Sequence, residues 1–153
     1  MDPVHKYQAK ALCTKARSGV VSSDVVTDAI HFSAPPEFLG DAGVWTPEHF
    51  FVASIVSCFV STFSGMAELS KLSFASFETD AEGVMEKDAG GWRFVEVRLN
   101  PTVIVSREQD CERVKRLLEK AEKTCLVARS TTARIVMNPT VTFEHEMVTA
   151  KAS

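Results

Sequence analysis

Residues 46–65 read TPEHFFVASIVSCFVSTFSG, and the fold turns on what this stretch becomes. Its head spells a helix start. Thr46 can cap, Pro47 suits the first helical position, and the Glu48 carboxylate favours the positive end of the helix dipole. The helix is expected to run to about Leu69. It is apolar nearly all round, which predicts burial on most sides. In a chain of 153 residues something must wrap such a helix, and a sheet is the expected wrapper. The apolar run 50–63 is shorter than the roughly 20 residues a membrane span needs, and it carries Ser54, Ser57, Ser61 and Thr62. A core helix is therefore expected, with no membrane partner. One cysteine, Cys58, sits in its middle.

Composition narrows the rest. Apolar residues make up 45% of the chain and charged residues 24%, ordinary values for a globular protein with a real core. A net charge of −3 gives no electrostatic reason to expect nucleic acid. The amino terminus lacks the basic start and apolar run of a secretory signal, so a cytoplasmic location is expected. Cys13, Cys58, Cys111 and Cys125 then do not suggest a structural disulfide framework. No pair has C-x-x-C spacing and no H-E-x-x-H occurs, so a metal site is not expected.

Around the apolar helix the chain alternates between strand and turn signals. Residues 7–14, 20–21 and 25–32 read as strands, with Ser22, Ser23 and Asp24 as turn material. Pro35, Pro36, Gly40 and Gly43 mark a loop. Residues 74–87 and 92–105 flank an Asp88-Ala89-Gly90-Gly91 hairpin turn, and Pro101 suggests a bulge or an edge. Ser106-Arg107-Glu108-Gln109 reads as a capping box. The helix it opens carries Cys111, Val114, Leu118, Ala121 and Cys125 on one face, with Glu112–Arg116 and Glu119–Lys123 as outward pairs. Residues 140–147 alternate and are expected to close the sheet. The sum is α+β: a mainly antiparallel sheet wrapped on two helices, one long, apolar and central. Both helices turn a cysteine inward.

On its own, each of these cysteines is ordinary core filler. Together their contexts say more. WTPEHFFVASIVSCF after a glycine-containing loop, and LLEKAEKTCLVARS near the end of the later helix, resemble the OsmC/Ohr family of osmotically inducible and organic hydroperoxide resistance proteins. The order of strands and helices matches as well. The resemblance implies a single OsmC-like domain over residues 1–153, an intertwined homodimer with active sites at the interface, and a thiol peroxidase that needs no cofactor. It implies Cys58 as the peroxidatic cysteine and Cys125 as the resolving one. It further implies an arginine beside the thiolate, oriented by a glutamate at the helix start, which here is Glu48. Arg17 is the residue it points to, in a turn where both family glycines are replaced. Arg129, four residues after Cys125, is the other candidate. A second departure is Leu126, where many members have proline.

The chemistry explains why such residues belong together. Free cysteine ionises near pH 8.5, and apolar burial raises that value. A fixed guanidinium lowers it by roughly 1–3 units and stays charged when desolvated. The Cys58 thiolate would attack a peroxide oxygen, and Cys125 would condense with the resulting sulfenic acid. An external dithiol, which the resemblance suggests is of lipoyl type, would reduce the disulfide. Phe50, Phe51, Ile55 and Phe59 would favour an organic hydroperoxide over hydrogen peroxide. Cys13 and Cys111 read as structural, and His49 as a first-turn surface or interface residue. Two other readings stay open: a non-catalytic OsmC-like module that binds an apolar ligand, and a hot-dog-type thioesterase using Glu48.

Overall fold

In the computed structural model, which describes residues 3–144, the apolar stretch is one helix, α1 (Pro47–Leu69). Thr46 caps it as expected, with an unexpected partner. His49 N–H donates to Thr46 Oγ1 at 3.2 Å, and Thr46 N–H donates to His49 Nδ1 at 3.2 Å. This is the reciprocal pattern of a capping box with histidine in the place of glutamate. Because Nδ1 accepts, the neutral ring carries its proton on Nε2.

The chain divides into two compact units, Met1–Phe51 and Val52–Ser153. The first holds a three-stranded antiparallel sheet of β1 (Lys10–Lys15), β2 (Ser18–Ser22) and β3 (Ile30–Ser33) in the order β1-β2-β3. Two of these strands are shorter than residues 7–14 and 25–32 suggested. The short β2 sets the limit: Lys10 already faces its last residue, Ser22, and Ile30 faces Val21. Val25 and Val26 stay exposed, in a turn where Val26 N–H donates to the Ser23 carbonyl.

The second unit is built on a long hairpin, β4 (Ser76–Asp88) and β5 (Gly91–Val105). Asp88 Oδ1 accepts from Gly90 N–H at 2.8 Å, and Gly91 takes a φ of +111°, so the tight turn needs glycine there. Val97, Leu99, Val103 and Val105 are fully buried at alternate positions of β5. Pro101 marks neither a bulge nor an edge strand. β5 is central, with β4 on one side and β6 (Arg134–Met137) and β7 (Thr140–Phe143) in parallel on the other. The β6 ladder ends at Leu99 and the β7 ladder begins at Thr102. Proline therefore falls where no partner strand asks for its missing N–H. The bulge lies elsewhere, with the register slipping between Val84 and Met85 opposite Glu96 and Phe94. The strand expected over residues 140–147 is β7 as far as Phe143, and residues 145–147 lie outside the described residues. β6 was not foreseen.

The second helix, α2 (Cys111–Thr124), is entered through a 3-10 turn, Glu108–Asp110, without a side-chain cap. The expected capping box does not form. Asp110 is instead held by Arg107 at 2.8 Å. Glu112 takes Lys115 at 2.7 Å, three residues on, and Arg116 adds only a through-space charge. The apolar face is as read: Val114, Leu118, Ala121 and Cys125 are fully buried, while Cys111 is half-buried.

α1 buries less of itself than its composition predicts. Ile55, Phe59, Phe63 and Ala67, each four residues apart, form its one buried stripe. Phe63 and Phe77 lie 4.5 Å apart between centroids, with Phe59 and Phe74 around them. Aromatic contacts of this kind are worth about 1 kcal/mol each beyond area burial. By length and composition alone, α1 is long and apolar enough to cross a membrane. Its buried stripe, and the Ser61 hydroxyl bonded to the Ser57 carbonyl at 2.8 Å, suit a core helix equally well. Helix and sheet meet closely at Gly83, where an added Cβ would lie 2.6 Å from both Val52 Cγ2 and Phe94 Cε1. Gly83→Ala is expected to destabilise the protein by about 1–3 kcal/mol. A lower urea midpoint with an unchanged slope is the measurement that checks it.

Candidate functional site

Two helices each deliver one sulfur to a common place. Cys58 lies on α1 beside its buried stripe, three residues after Ile55 and one before Phe59. Cys125 follows the last residue of α2 and completes that helix's apolar face. Both are free thiols within hydrogen-bonding reach of each other. Cys125 is fully buried, and its sulfur lies 3.9 Å from the Ile55 carbonyl oxygen. Cys58 is half-buried.

Their surroundings push the two thiols apart in acidity. Burial raises Cys58, but this is outweighed by hydrogen bonds from the Val127 backbone N–H, the Cys125 thiol, the Leu126 backbone N–H and the Thr62 hydroxyl. Its pKa therefore falls below the ordinary thiol value. Cys125 is raised, first by burial and then by the nearby Cys58, with the Ala128 backbone N–H only partly offsetting them. A lowered pKa means more thiolate at a given pH, so Cys58 is the sulfur that ionises first. In a pH series of iodoacetamide labelling read by peptide mass spectrometry, Cys58 is expected to label at lower pH than Cys125. The reverse order would contradict this ranking.

The main donors to Cys58 were not foreseen. Thr62 lies one helical turn beyond Cys58 and could have been found from its i+4 spacing. The Leu126 and Val127 amides carry no signature in the sequence, because every non-proline residue has one. Ile55 and Phe59, expected to line a substrate pocket, are fully buried in the core instead, with Phe59 set against Phe77 at 6.3 Å. Phe50 stacks on Trp45 within the first unit, with centroids 5.9 Å apart.

Arg17 and Glu48 belong to the first unit. Arg17 is exposed in the turn between β1 and β2, has a φ of +65°, and its carbonyl accepts from Ala34 N–H at 2.8 Å. Glu48 lies in the first turn of α1, and its Oε2 is buried without a hydrogen-bond partner among the described residues. Arg17 and Glu48 form no ion pair among the described residues. Arg129 is exposed in the 3-10 turn Ala128–Ser130 that follows Cys125. His49 caps α1, which accounts for its polar contacts without a catalytic role. Among the described residues, no group of three or more His, Cys, Asp or Glu side chains could hold a metal ion.

Known proteins share this architecture. Structures similar to this chain include an OsmC-like protein of unknown function from Vibrio cholerae, at a TM-score of 0.79 and 21% identity, covering 89% of this chain and 99% of that one. An organic hydroperoxide resistance protein from Elizabethkingia anophelis superposes with a TM-score of 0.72 at 23% identity, covering 94% and 100% of the two chains. Another, OhrB of Bacillus subtilis, gives 0.63 at 21% identity, covering 88% and 98%. Among curated sequences, the uncharacterized protein YmaD of Bacillus subtilis is 22% identical over 129 residues, 82% of this chain and 86% of that protein. The family model for OsmC-like proteins matches residues 40–140, which contain both motifs and both site cysteines. With helix order, strand order and family model in agreement, this chain belongs to the OsmC-like protein family.

Proposed function

We infer that this protein is a thiol peroxidase that reduces organic hydroperoxides, with Cys58 as peroxidatic and Cys125 as resolving cysteine. The observation that carries the reading is the thiol pair itself: two reduced sulfurs from two helices, adjacent, one made more acidic and the other less. That several relatives of the same fold are named organic hydroperoxide resistance proteins supports it. The Cys58 thiolate attacks one oxygen of ROOH. The O–O bond breaks, RO⁻ leaves and takes a proton, and Cys58 becomes a sulfenic acid. The Cys125 sulfur attacks that sulfenic sulfur, the S–O bond breaks, and water leaves as the disulfide forms. An external dithiol, of lipoyl type in this reading, returns both thiols by two exchange steps and is itself oxidised to a disulfide.

In this reading an arginine approaches the thiolate, and Glu48 orients it. The buried, unpartnered Oε2 of Glu48 favours this role. A buried acceptor left without a donor costs about 1–3 kcal/mol and calls for an explanation. A guanidinium would supply one, and Arg17 is the first candidate. The reading also includes a homodimer. Leu12, Ile30, Val44 and Trp45 are exposed in the single chain, and α1 buries one stripe only, so a second copy has apolar surface to cover.

The test is direct. Wild-type protein with a dithiol should consume tert-butyl hydroperoxide faster than hydrogen peroxide, and light scattering should give a dimer mass. No hydroperoxide turnover with any dithiol would leave the apolar-ligand module as the reading to pursue. Hydrogen peroxide turnover equal to or above that of the alkyl hydroperoxide would remove the substrate preference.

A further inference from the structure

The turn that carries Arg17 is held by one loop of the same unit. Lys15 and Ser18 face each other at the end of the β1–β2 hairpin, with Ala16 and Arg17 between them. Asp41 Oδ2 reaches both closing residues: it lies 2.8 Å from Lys15 Nζ and accepts from Ser18 Oγ at 3.2 Å. The Arg17 carbonyl accepts from Ala34 N–H at 2.8 Å. Asp41 is itself anchored. Its N–H donates to Ser33 Oγ at 2.8 Å, and Ser33 is only 1% exposed. Ser18 Oγ lies 3.0 Å from Ser33 Oγ, so Ser18, Ser33 and Asp41 close a ring of polar contacts. The chain between Ser33 and Asp41 returns tightly on itself. Gly40 N–H donates to the Pro35 carbonyl at 3.1 Å, and a Cβ at Gly40 would stand 1.6 Å from the Ala34 carbonyl oxygen.

An exposed ion pair such as Lys15–Asp41 fixes little by itself. Here the carboxylate belongs to a residue whose backbone is bonded to a buried hydroxyl, and one of its oxygens joins both ends of a hairpin turn. Lys15 first, and then Ser18, hold the Asp41 carboxyl below its ordinary pKa, so it is ionised through the neutral range. Arg17 stands at φ +65°, a conformation that a residue with a side chain keeps where its surroundings impose it. We propose that Asp41 is the positioning residue of the Arg17 turn, anchored by Ser33, and that it thereby sets where the Arg17 guanidinium stands. The effect on the thiol site rests on the reading of Arg17 as the arginine that supports Cys58. The clamp on the turn does not.

Two readouts on the full chain test this. The first is limited trypsin digestion followed by peptide mass spectrometry. Asp41→Ala is expected to speed cleavage after Lys15 and Arg17 by about tenfold, because cleavage follows the population of the opened turn. Cleavage after Arg116, exposed on α2, gauges global opening and should stay at the wild-type rate. Asp24→Ala, which removes an exposed carboxylate from the turn between β2 and β3, should match wild type at every site. Wild-type cleavage after Lys15 and Arg17 in Asp41→Ala would overturn the clamp. The second readout is the pH midpoint of iodoacetamide labelling at Cys58. Asp41→Ala is expected to raise it by about half a unit, part of what a guanidinium supplies to a thiolate. Added to Arg17→Gly, the same change should shift it no further, since Asp41 acts through Arg17. Additive shifts, or a midpoint moved by Arg17→Gly and not by Asp41→Ala, would overturn the positioning role. Faster cleavage in Asp41→Ala with a wild-type midpoint in both single variants would leave the clamp standing and sink the reading of Arg17. Labelling requires no peroxide, so shifted midpoints with a failed peroxidase assay would sink the hydroperoxide reading alone.

Discussion

Cys58→Ser is expected to lower hydroperoxide consumption by about a thousandfold or more, the scale on which an enzyme loses its nucleophile. A hydroxyl at this site has far too high a pKa to ionise with the help of two amides, a thiol and a threonine. The fold should survive, since Cys58 is only half-buried and serine is nearly its size. Cys125→Ser is expected to behave differently. Its first turnover should proceed, because the attacking sulfur remains, and later turnovers should fail. Without a neighbouring thiol, the sulfenic acid persists and more peroxide drives it to sulfinic acid. Stopped-flow assays would resolve the first turnover, and intact mass would show the added oxygens. If both variants kept full multiple-turnover activity, the thiol pair would be a packing feature of a binding module.

Arg17→Gly should move stability and activity in opposite directions. Arg17 holds a φ of +65° in an exposed turn. A left-handed conformation costs a side-chain-bearing residue roughly 1–2 kcal/mol, and glycine avoids that cost. Part of the gain is offset by the freedom glycine adds to the unfolded chain, so a net stabilisation of up to about 1 kcal/mol is expected. If Arg17 supports the thiolate, the same change should lower hydroperoxide turnover by about a hundredfold, the usual size of a lost electrostatic stabiliser. Arg17→Lys should not rescue turnover, since an ammonium lacks the planar fork. Denaturation curves and turnover measured on one preparation check both halves. Full turnover in Arg17→Gly would shift the arginine role to Arg129, to be tested by Arg129→Ala.

Much of the fold was legible because its signals are local. Pro47 at the first position of α1, the Asp88–Gly91 turn and the three-and-four spacing of Val114, Leu118 and Ala121 each act within one turn of chain. The features that escaped depend on distant partners. β6 is a four-residue strand whose pairing with Glu96 to Leu99 of β5 is parallel, so no adjacent turn announces it. Pro101 looked like an edge marker because the junction between β6 and β7 that excuses it comes from far later residues. The capping box before α2 gave way to an Arg107–Asp110 ion pair, and the true box uses His49, a residue not usually read as a cap partner.

By itself the sequence determined that two cysteines sit on the inward faces of two helices, one of them in a helix too apolar to stand in water. Side-chain periodicity is enough for that. Only the tertiary structure decided that these sulfurs meet and which of them is the more acidic. The reason is that the largest groups lowering Cys58 are backbone amides and the opposing thiol, set in place by the turn after α2. An amide is present at almost every residue, so its chemistry becomes specific only through where the chain aims it.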